Sequence, residues 1–282
     1  MKEIKIAGFS TDTSPDDKPA VCVYGLENVG KTKFGCTVPH DDGVIGYLAL
    51  DKNTKRTVDK YREAWGLPLL INARPFMTDK DSIALATLDS EKPAELKEIK
   101  QRYTDVVKRI TEAGVALAEN KDVESIVLDT GDQFFDMILF SHFGRRNQIE
   151  SYQRGASNQD MIDFVGAMRT KNFCFICRAA EIWKDTGEVD KQGRKKQAPT
   201  DKYKPAGFGK IGGFMTVTCE LIARVVGSAD AESDDALAKK YRVRVHHCKG
   251  NTLLEGQDLH EYGVSGEAIT WSNLMTAVGL EG

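Results

Sequence analysis

Short apolar runs alternate along the chain with stretches that repeat apolar residues every three to four positions. Four largely apolar runs, residues 20–24, 44–50, 125–129 and 173–177, each end on or are followed directly by a glycine or a charged residue, which is typical of strands buried in a parallel sheet. Residues 94–120 carry apolar side chains with a period near that of an α-helix. This alternation predicts an α/β fold with a mostly parallel central sheet flanked by helices.

Weaker patterns predict the remaining elements. Two stretches rich in β-branched residues, 216–226 and 241–247, predict strands that extend the sheet in either direction as a C-terminal β extension. Shorter helices are predicted to begin near Lys31 and end before Pro39, and at residues 54–65, 134–143, 161–170 and 272–278. The polar residues 1–18 are expected to form an arm or an edge strand, and residues 261–282 a tail with a short helix. The role of residues 66–93 is not indicated.

Composition narrows the class of protein. The chain has 282 residues, of which 41% are hydrophobic and 29% charged, and these values exclude a collagen-like or wholly disordered chain. No apolar run approaches the length of a membrane span, and the first residues lack the apolar block of a secretory signal. We therefore expect a soluble protein of the cytoplasm with no membrane partner.

Six cysteines are scattered along the chain, and only Cys174 and Cys177 have a spacing that resembles a metal site. They lie in a predicted strand, where residues three apart point to opposite faces of the sheet. We therefore predict reduced cysteines of the core. The run His246-His247-Cys248 is a weak metal candidate for the same reason, because neighbouring residues of a strand diverge.

One motif carries specific chemistry. The run GLENVGKT, residues 25–32, fits G-x-x-x-x-G-K-[ST] and lies directly after a predicted strand and before a predicted helix. In such a loop, backbone N–H groups surround the phosphates of a nucleotide, the lysine reaches the β- and γ-phosphates, and the hydroxyl binds Mg²⁺. The residues predicted to bind ATP are Gly25, Leu26, Glu27, Asn28, Val29, Gly30, Lys31, Thr32 and Lys33.

Three further residues at predicted strand ends are candidates for catalysis beside Lys31. Asp129 follows three apolar residues and is predicted to hold Mg²⁺ together with Thr32. Asp51 either orients the attacking water or caps the next helix, and the sequence supports the two roles equally. Arg178 either senses the γ-phosphate or is an ordinary surface arginine.

These residues resemble a known family. The phosphate loop, the strand ends Leu128-Asp129-Thr130 and Cys177-Arg178, and the blocks 181–184 and 202–210 resemble the RecA-like core of phage P-loop ATPases. The similarity spans roughly residues 19–260 and points to the single-strand annealing, or AAA-family ATP-binding, type. The resemblance implies a RecA-like ATPase domain that binds single-stranded DNA, promotes annealing or strand exchange, and assembles into rings or filaments in the host cytoplasm.

The chain departs from this family at one position. RecA-like proteins usually carry glutamate as the residue that activates water, whereas this chain has Asp51 followed by Lys52. The shorter carboxylate puts rapid hydrolysis in doubt. This departure favours one alternative, a nucleotide-gated DNA-binding or loader subunit that hydrolyses ATP slowly. A nucleoside-type kinase also stays open, because such enzymes use a phosphate loop as well.

Two stretches are candidates for contacting DNA. The family places its first DNA-facing loop where this chain has Arg145, Arg146 and Arg154. The second stretch, residues 191–210, has seven Lys or Arg against one Asp, and its side chains would neutralise phosphates or stack on bases. The candidates in that stretch are Arg194, Lys195, Lys196, Lys202, Tyr203, Lys204, Phe208 and Lys210. A charged run is also typical of a solvated loop, and Lys204 or Lys210 would alternatively reach the nucleotide of a neighbouring subunit.

Overall fold

A computed structural model of the chain describes residues 18–145, 151–189, 195–226, 238–249, 251–262 and 269–280. The predicted arm, residues 1–18, thus lies almost wholly outside the described residues. Within them, nine strands belong to one sheet: β1 Ala20–Gly25, β2 Val44–Ala49, β3 Leu69–Ile71, β4 Val123–Asp129, β5 Asn172–Val189, β6 Lys195–Pro205, β7 Val217–Val226, β8 Ala238–Cys248 and β9 Asp258–Tyr262.

Helices connect most of these strands. They are α1 Lys31–Gly35, α2 Lys52–Trp65, α3 Asp79–Ala86, α4 Pro93–Glu119, α5 Gly131–Phe143, α6 Gly155–Met168, α7 Ile211–Phe214 and α8 Trp271–Val278. The four predicted buried strands and the long helix are confirmed within a few residues. β3, α3 and β9 were not predicted, because each is short and its apolar pattern is weak.

The order of strands in the sheet is β3-β2-β4-β5-β1-β7-β8-β9. The six strands from β3 to β7 in that order run parallel, and β8 and β9 are antiparallel additions. The architecture is therefore α/β with a mostly parallel, mixed sheet and helices on its faces, as predicted. The C-terminal β extension adds to the sheet on the β1 side.

Alternate residues of the sheet face two separate hydrophobic clusters. On β1, Cys22 and Tyr24 face the cluster covered by α4, α5 and α6, whereas Val21 and Val23 face the cluster covered by α1, α2 and α8. Helix α8 belongs to this second cluster, where Trp271 packs against Phe34 of α1 with ring centroids 6.2 Å apart. Burial of both faces explains why the central strands are almost continuously apolar.

The cysteines are core residues, as predicted. All six are buried and form no disulfide, and Cys174 and Cys177 belong to opposite clusters. The two histidines also diverge: His246 Nε2 lies 3.4 Å from Glu220, and His247 Nδ1 lies 2.9 Å from Glu255.

The basic stretch 191–210 is not the loop that the sequence indicated. Most of it is strand β6, which pairs antiparallel with the outer half of β5. Strand β5 is 18 residues long: its first six residues are buried in the central sheet, and the rest leaves the sheet as one side of a β5–β6 hairpin. The outer half carries polar residues on both faces, so its sequence lacks the alternation that identifies a half-buried strand.

Candidate functional site

The parallel register brings the predicted site residues to one edge of the sheet. Asp129 pairs with Ala49 on one side and with Ile176 on the other, and Gly25 pairs with Arg178. The carboxyl ends of β1, β2, β4 and β5 therefore meet at this edge. In open α/β sheets, ligands bind in crevices outside the carboxyl ends of the strands.

The loop after β1 needs its two glycines for different reasons. A Cβ at Gly25 would clash with the carbonyl oxygen of Leu221, so β7 packs directly against this position. Gly30 adopts φ 89°, a left-handed conformation that favours glycine, and Asn28 adopts φ 60°. A turn that contains such left-handed residues directs successive backbone N–H groups toward one concave side, which suits an anion.

Lys31 begins α1, and its amine turns back over the loop. Its Nζ donates hydrogen bonds to the carbonyl oxygens of Gly25 at 2.9 Å and Leu26 at 2.6 Å. Burial lowers the pKa of Lys31, and the charge of Asp129 partly offsets this effect. The lysine is thus held at the mouth of the loop by neutral carbonyl groups.

Asp129 lies at the centre of a compact polar cluster. Its Oδ2 accepts hydrogen bonds from the hydroxyls of Thr32 and Tyr47, both at 2.9 Å, and the residue is almost fully buried. Burial raises the pKa of Asp129 to about 6, although the two hydrogen bonds lower it. Tyr47 is an addition to the predicted site, because its partner lies 82 residues away and no local pattern in β2 indicates the contact.

Asp51 is the N-cap of α2. Its Oδ1 accepts from the backbone N–H groups of Asn53 and Thr54, both at 2.7 Å, and its Oδ2 accepts from the Thr54 hydroxyl at 2.7 Å. Of the two roles that the sequence left open, the structure therefore establishes the cap. Asp51 also borders the crevice, so the water-orienting role stays a prediction.

Arg178 forms hydrogen bonds to an aspartate that was not predicted as a site residue. Asp132, in the first turn of α5, accepts from the Arg178 backbone N–H at 3.1 Å and from Nε at 2.5 Å. The hydrogen bond and the charge of Asp132 raise the pKa of Arg178. The only local signal was an acidic residue in the first turn of a helix, which is common for reasons unrelated to any site.

These side chains surround an open crevice of about 750 Å³. Its walls come from the phosphate loop, the start of α2 and the ends of β4 and β5. The lining residues from the predicted set are Glu27, Asn28, Lys31, Thr32, Asp51, Asp129 and Arg178. Lys33 does not line it: its amine lies 5.8 Å from the ring centroid of Trp65, and Val29 is buried in the core.

The donors present suit Mg²⁺. This ion prefers oxygen ligands and is usually bound by one or two carboxylates or hydroxyls together with phosphate oxygens. Thr32 Oγ1 and Asp129 Oδ2 are hard oxygen donors 2.9 Å apart at the floor of the crevice. Thr32 and Asp129 would hold the ion beside the phosphates of a bound nucleotide.

Of the three arginines in the first stretch predicted to contact DNA, Arg145 and Arg154 belong to the described residues. The Arg145 guanidinium donates to the hydroxyl of Tyr103 on α4, at 3.3 Å from Nε and 3.1 Å from Nη2, so it stabilises the packing of the helices. Arg154 immediately precedes α6 and has interactions of its own. Arg146 lies outside the described residues, as does Arg194 of the second stretch.

In the second stretch, residues 191–210, part of the positive charge is neutralised by ion pairs within the protein. Lys195 pairs with Asp185 at 2.8 Å, and Lys196 pairs with Glu188 at 3.0 Å, both across the β5–β6 hairpin. Lys202, Lys204 and Lys210 are exposed.

The two aromatic residues predicted to stack on bases are held by the protein. Phe208 is buried against Phe135 and Phe214, so the expectation that it stacks on bases is wrong. Tyr203 is partly buried against the core, and its carbonyl oxygen accepts from the Tyr24 hydroxyl. The exposed aromatic residue of the hairpin is instead Trp183, which is 53% exposed.

Comparisons with known proteins add no family. No protein-family model matches the chain, and no curated protein is similar to it. Across the described ranges, no helix is long and apolar enough to cross a membrane. The same ranges contain no group of three or more His, Cys, Asp or Glu residues arranged to hold a metal ion.

Proposed function

We propose that this protein is an ATP-binding P-loop ATPase with a RecA-like core that acts on single-stranded DNA. The observation that carries the proposal is the contact between Thr32 and Asp129 at 2.9 Å, beneath a loop that has the phosphate-binding sequence. Thr32 of the motif and Asp129 at the end of β4 are 97 residues apart in sequence, and the fold brings their side chains into contact. A glycine-rich turn without a ligand would not require that a carboxylate be buried under it.

Each residue of the crevice has a role in this proposal. The backbone of the loop and the Lys31 amine would bind the β- and γ-phosphates, with Lys31 exchanging its carbonyl partners for phosphate oxygens. Thr32 and Asp129 would hold Mg²⁺, which neutralises charge on the phosphates when it is bound. Arg178 would contact the γ-phosphate from the end of the buried part of β5.

Single-stranded DNA is proposed as the partner of the β5–β6 hairpin. The hairpin continues directly from Arg178, so its base lies beside the nucleotide crevice. Its exposed Lys202 and Lys204 suit phosphates, and the exposed Trp183 offers a surface for base stacking. Assembly into a ring or a filament belongs to the same proposal.

One observation favours an alternative function in which ATP is hydrolysed slowly. Both oxygens of Asp51 already accept hydrogen bonds from the start of α2. A carboxylate engaged in this way is a poor base for an attacking water. The alternative is therefore a nucleotide-gated DNA-binding or loader subunit in which ATP binding, rather than rapid turnover, controls the hairpin.

The decisive experiment compares two adjacent lysines. ATP affinity is measured by calorimetry in the presence of Mg²⁺ for the wild type, Lys31→Ala and Lys33→Ala. We expect Lys31→Ala to weaken binding at least tenfold, because a charge-assisted hydrogen bond to phosphate contributes roughly 1.5–3 kcal/mol. Lys33→Ala should change affinity less than about twofold, since Lys33 lies against Trp65.

Hydrolysis is then measured with and without single-stranded DNA. Stimulation by DNA that is lost in Lys31→Ala would support the recombination ATPase. Tight ATP binding with slow hydrolysis would favour the loader. Equal ATP affinity in the wild type and Lys31→Ala would contradict the site itself, and phosphate transfer to a nucleoside would indicate a kinase.

A further inference from the structure

Asp132 is a buried carboxylate that lies outside the phosphate-loop motif and holds Arg178 at two points. Its side chain is 1% exposed, whereas that of Arg178 is 57% exposed. One carboxylate oxygen accepts from the Arg178 backbone N–H and the other from Nε. Hydrogen bonds between charged groups are about twice as strong as those between neutral groups, so the guanidinium is held firmly at its inner end.

The attachment at Nε leaves the outer part of the guanidinium available. Arginine has five N–H donors in a rigid fork, and only the one on Nε is used by Asp132. Nη2 lies 4.0 Å from Asp136 Oδ2, which is beyond hydrogen-bond distance. Arg178 lines the crevice together with Lys31 and Thr32, so its remaining donors lie at the nucleotide site.

Close packing fixes the position of Asp132 itself. A Cβ added at Gly207 would lie 2.9 Å from the Asp132 Cα, so the end of the hairpin presses against the start of α5. The Arg178 carbonyl oxygen also accepts from the backbone N–H of Ala206 at 2.9 Å. Asp132 and the Arg178 backbone are therefore held by packing and by backbone hydrogen bonds.

From these contacts we infer that Asp132 is a positioning residue, which sets the Arg178 guanidinium so that the site distinguishes ATP from ADP. The inference rests on the proposed function, because it assumes that the crevice binds a nucleoside triphosphate. Asp132 does not touch the nucleotide. It acts by restricting the arginine to the arrangement in which its outer N–H groups meet a γ-phosphate.

The test measures the ratio of the ADP and ATP dissociation constants by calorimetry with Mg²⁺. Asp132→Asn keeps the size of the side chain but removes its charge and one acceptor oxygen. We expect the preference for ATP over ADP to fall about tenfold, with the affinity for ADP changed less than about twofold. A merely structural role would lower both affinities or neither. The matched control is Asp136→Asn, which should leave the preference unchanged.

Two further variants keep the inference testable if Asp132→Asn fails to fold. Arg178→Ala, at an exposed position, should remove the same preference. Where Asp132→Asn does fold, adding it to Arg178→Ala should change the ratio no further. Arg178→Lys keeps the charge but lacks the Nε donor, so we expect it to behave like Arg178→Ala.

The results that would overturn the inference differ from those that would overturn the function. A wild-type preference that survives Asp132→Asn overturns the role of Asp132 alone, and one that survives Arg178→Ala or Arg178→Lys overturns the γ-phosphate role of Arg178 as well, while nucleotide binding by the crevice stands. A wild-type protein that binds neither ATP nor ADP overturns the proposed function together with this inference.

Discussion

At the scale of single residues, the most consequential group is the Asp129 carboxylate. It is buried beneath the phosphate loop, and its hydrogen bonds from Thr32 and Tyr47 do not fully offset the loss of water, so its pKa rises to about 6. At neutral pH the carboxyl is ionised although it is buried, and this lowers the free energy of unfolding. A divalent cation beside it would recover part of that cost, which is one physical reason to place Mg²⁺ there.

The raised pKa of Asp129 predicts how stability depends on pH in Mg²⁺-free protein. Because the folded state holds the proton more tightly than the unfolded state, this contribution is present below pH 4 and is lost as the pH rises through about 6. The Asp129→Asn variant has no titrating carboxyl at this position and therefore lacks this pH-dependent contribution. We expect the unfolding free energy of the variant, relative to the wild type, to increase by roughly 3 kcal/mol between acid and neutral pH.

Denaturant titrations at several pH values, in the presence of a chelator, give this difference directly. The comparison between the two proteins cancels the titration of all other groups. Tyr47→Phe gives a second comparison: it keeps the titrating carboxyl but removes one hydrogen bond that lowers its pKa, so stability should fall with rising pH at least as much as in the wild type. A difference between Asp129→Asn and the wild type that does not change with pH would contradict the raised pKa.

At the scale of elements, α2 depends on Asp51 for its first turn. The carboxylate satisfies two backbone N–H groups that have no partner within the helix. Asp51→Ala should therefore lower the unfolding free energy by about 1 kcal/mol, whereas Asp51→Ser, which also caps helices well, should lower it by only a few tenths. Denaturant titration of the three proteins measures both values.

The same pair of variants separates the cap from a catalytic role. Serine restores the cap without a carboxylate, so the hydrolysis rate of Asp51→Ser reports on the carboxylate alone. A rate close to that of the wild type would leave Asp51 as a cap. A large loss of rate in a normally stable Asp51→Ser protein would show that its carboxylate acts in hydrolysis.

The central elements could be predicted from the sequence because burial on both faces leaves a strong apolar signal. Strands β1 and β4 and helix α4 are of this kind. The β5–β6 hairpin could not, because β6 contains Pro199 and Pro205 and is mostly polar, so it reads as a loop. Its strand conformation comes from pairing with β5, which no local pattern reveals.

The residues of the candidate site likewise fall into those that the sequence could predict and those that it could not. The motif from Gly25 to Thr32 and the strand ends at Asp129 and Arg178 were found because each follows an apolar run. Tyr47 and Asp132 were missed, because what matters about them is a hydrogen bond to a residue far along the chain. The partners of Lys195 and Lys196 were missed for the same reason: they face the lysines only across the hairpin.

At the scale of the whole molecule, a net charge of −3 means that any attraction to DNA must be local. The described part of the hairpin carries the basic residues Lys184, Lys195, Lys196, Lys202 and Lys204 together with the acidic residues Glu181, Asp185, Glu188 and Asp201. Lys195 and Lys196 form ion pairs with Asp185 and Glu188. The positive field of this hairpin is therefore much weaker than the run 191–210 suggests by itself.

Opposite changes at the hairpin should therefore change DNA binding in opposite directions. Asp185→Asn with Glu188→Gln frees Lys195 and Lys196 and should tighten binding of single-stranded DNA. Lys202→Ala with Lys204→Ala should weaken it and reduce the slope of log affinity against log salt by about 1.4, since each contact to single strands contributes about 0.7. Fluorescence anisotropy across a salt series measures both effects.

The control for these charge changes lies on α4. Lys97→Ala with Lys108→Ala alters the net charge by the same amount as the hairpin lysine pair, but at exposed positions of a helix that packs mainly against α5 and α6. If all three double variants shift affinity only in proportion to net charge, the hairpin is not the DNA-binding element.

The continuity of β5 also has a mechanical consequence. The strand passes without a break from the buried sheet, past Arg178 at the crevice, to Val189 near the far end of the hairpin. At about 3.3 Å per residue, the outer half is about 36 Å long, and its base at Arg178 borders the crevice. A tilt of about 10° there would displace the far end by about 6 Å, more than the roughly 3.4 Å of axis length that each phosphate of one strand occupies in a DNA double helix.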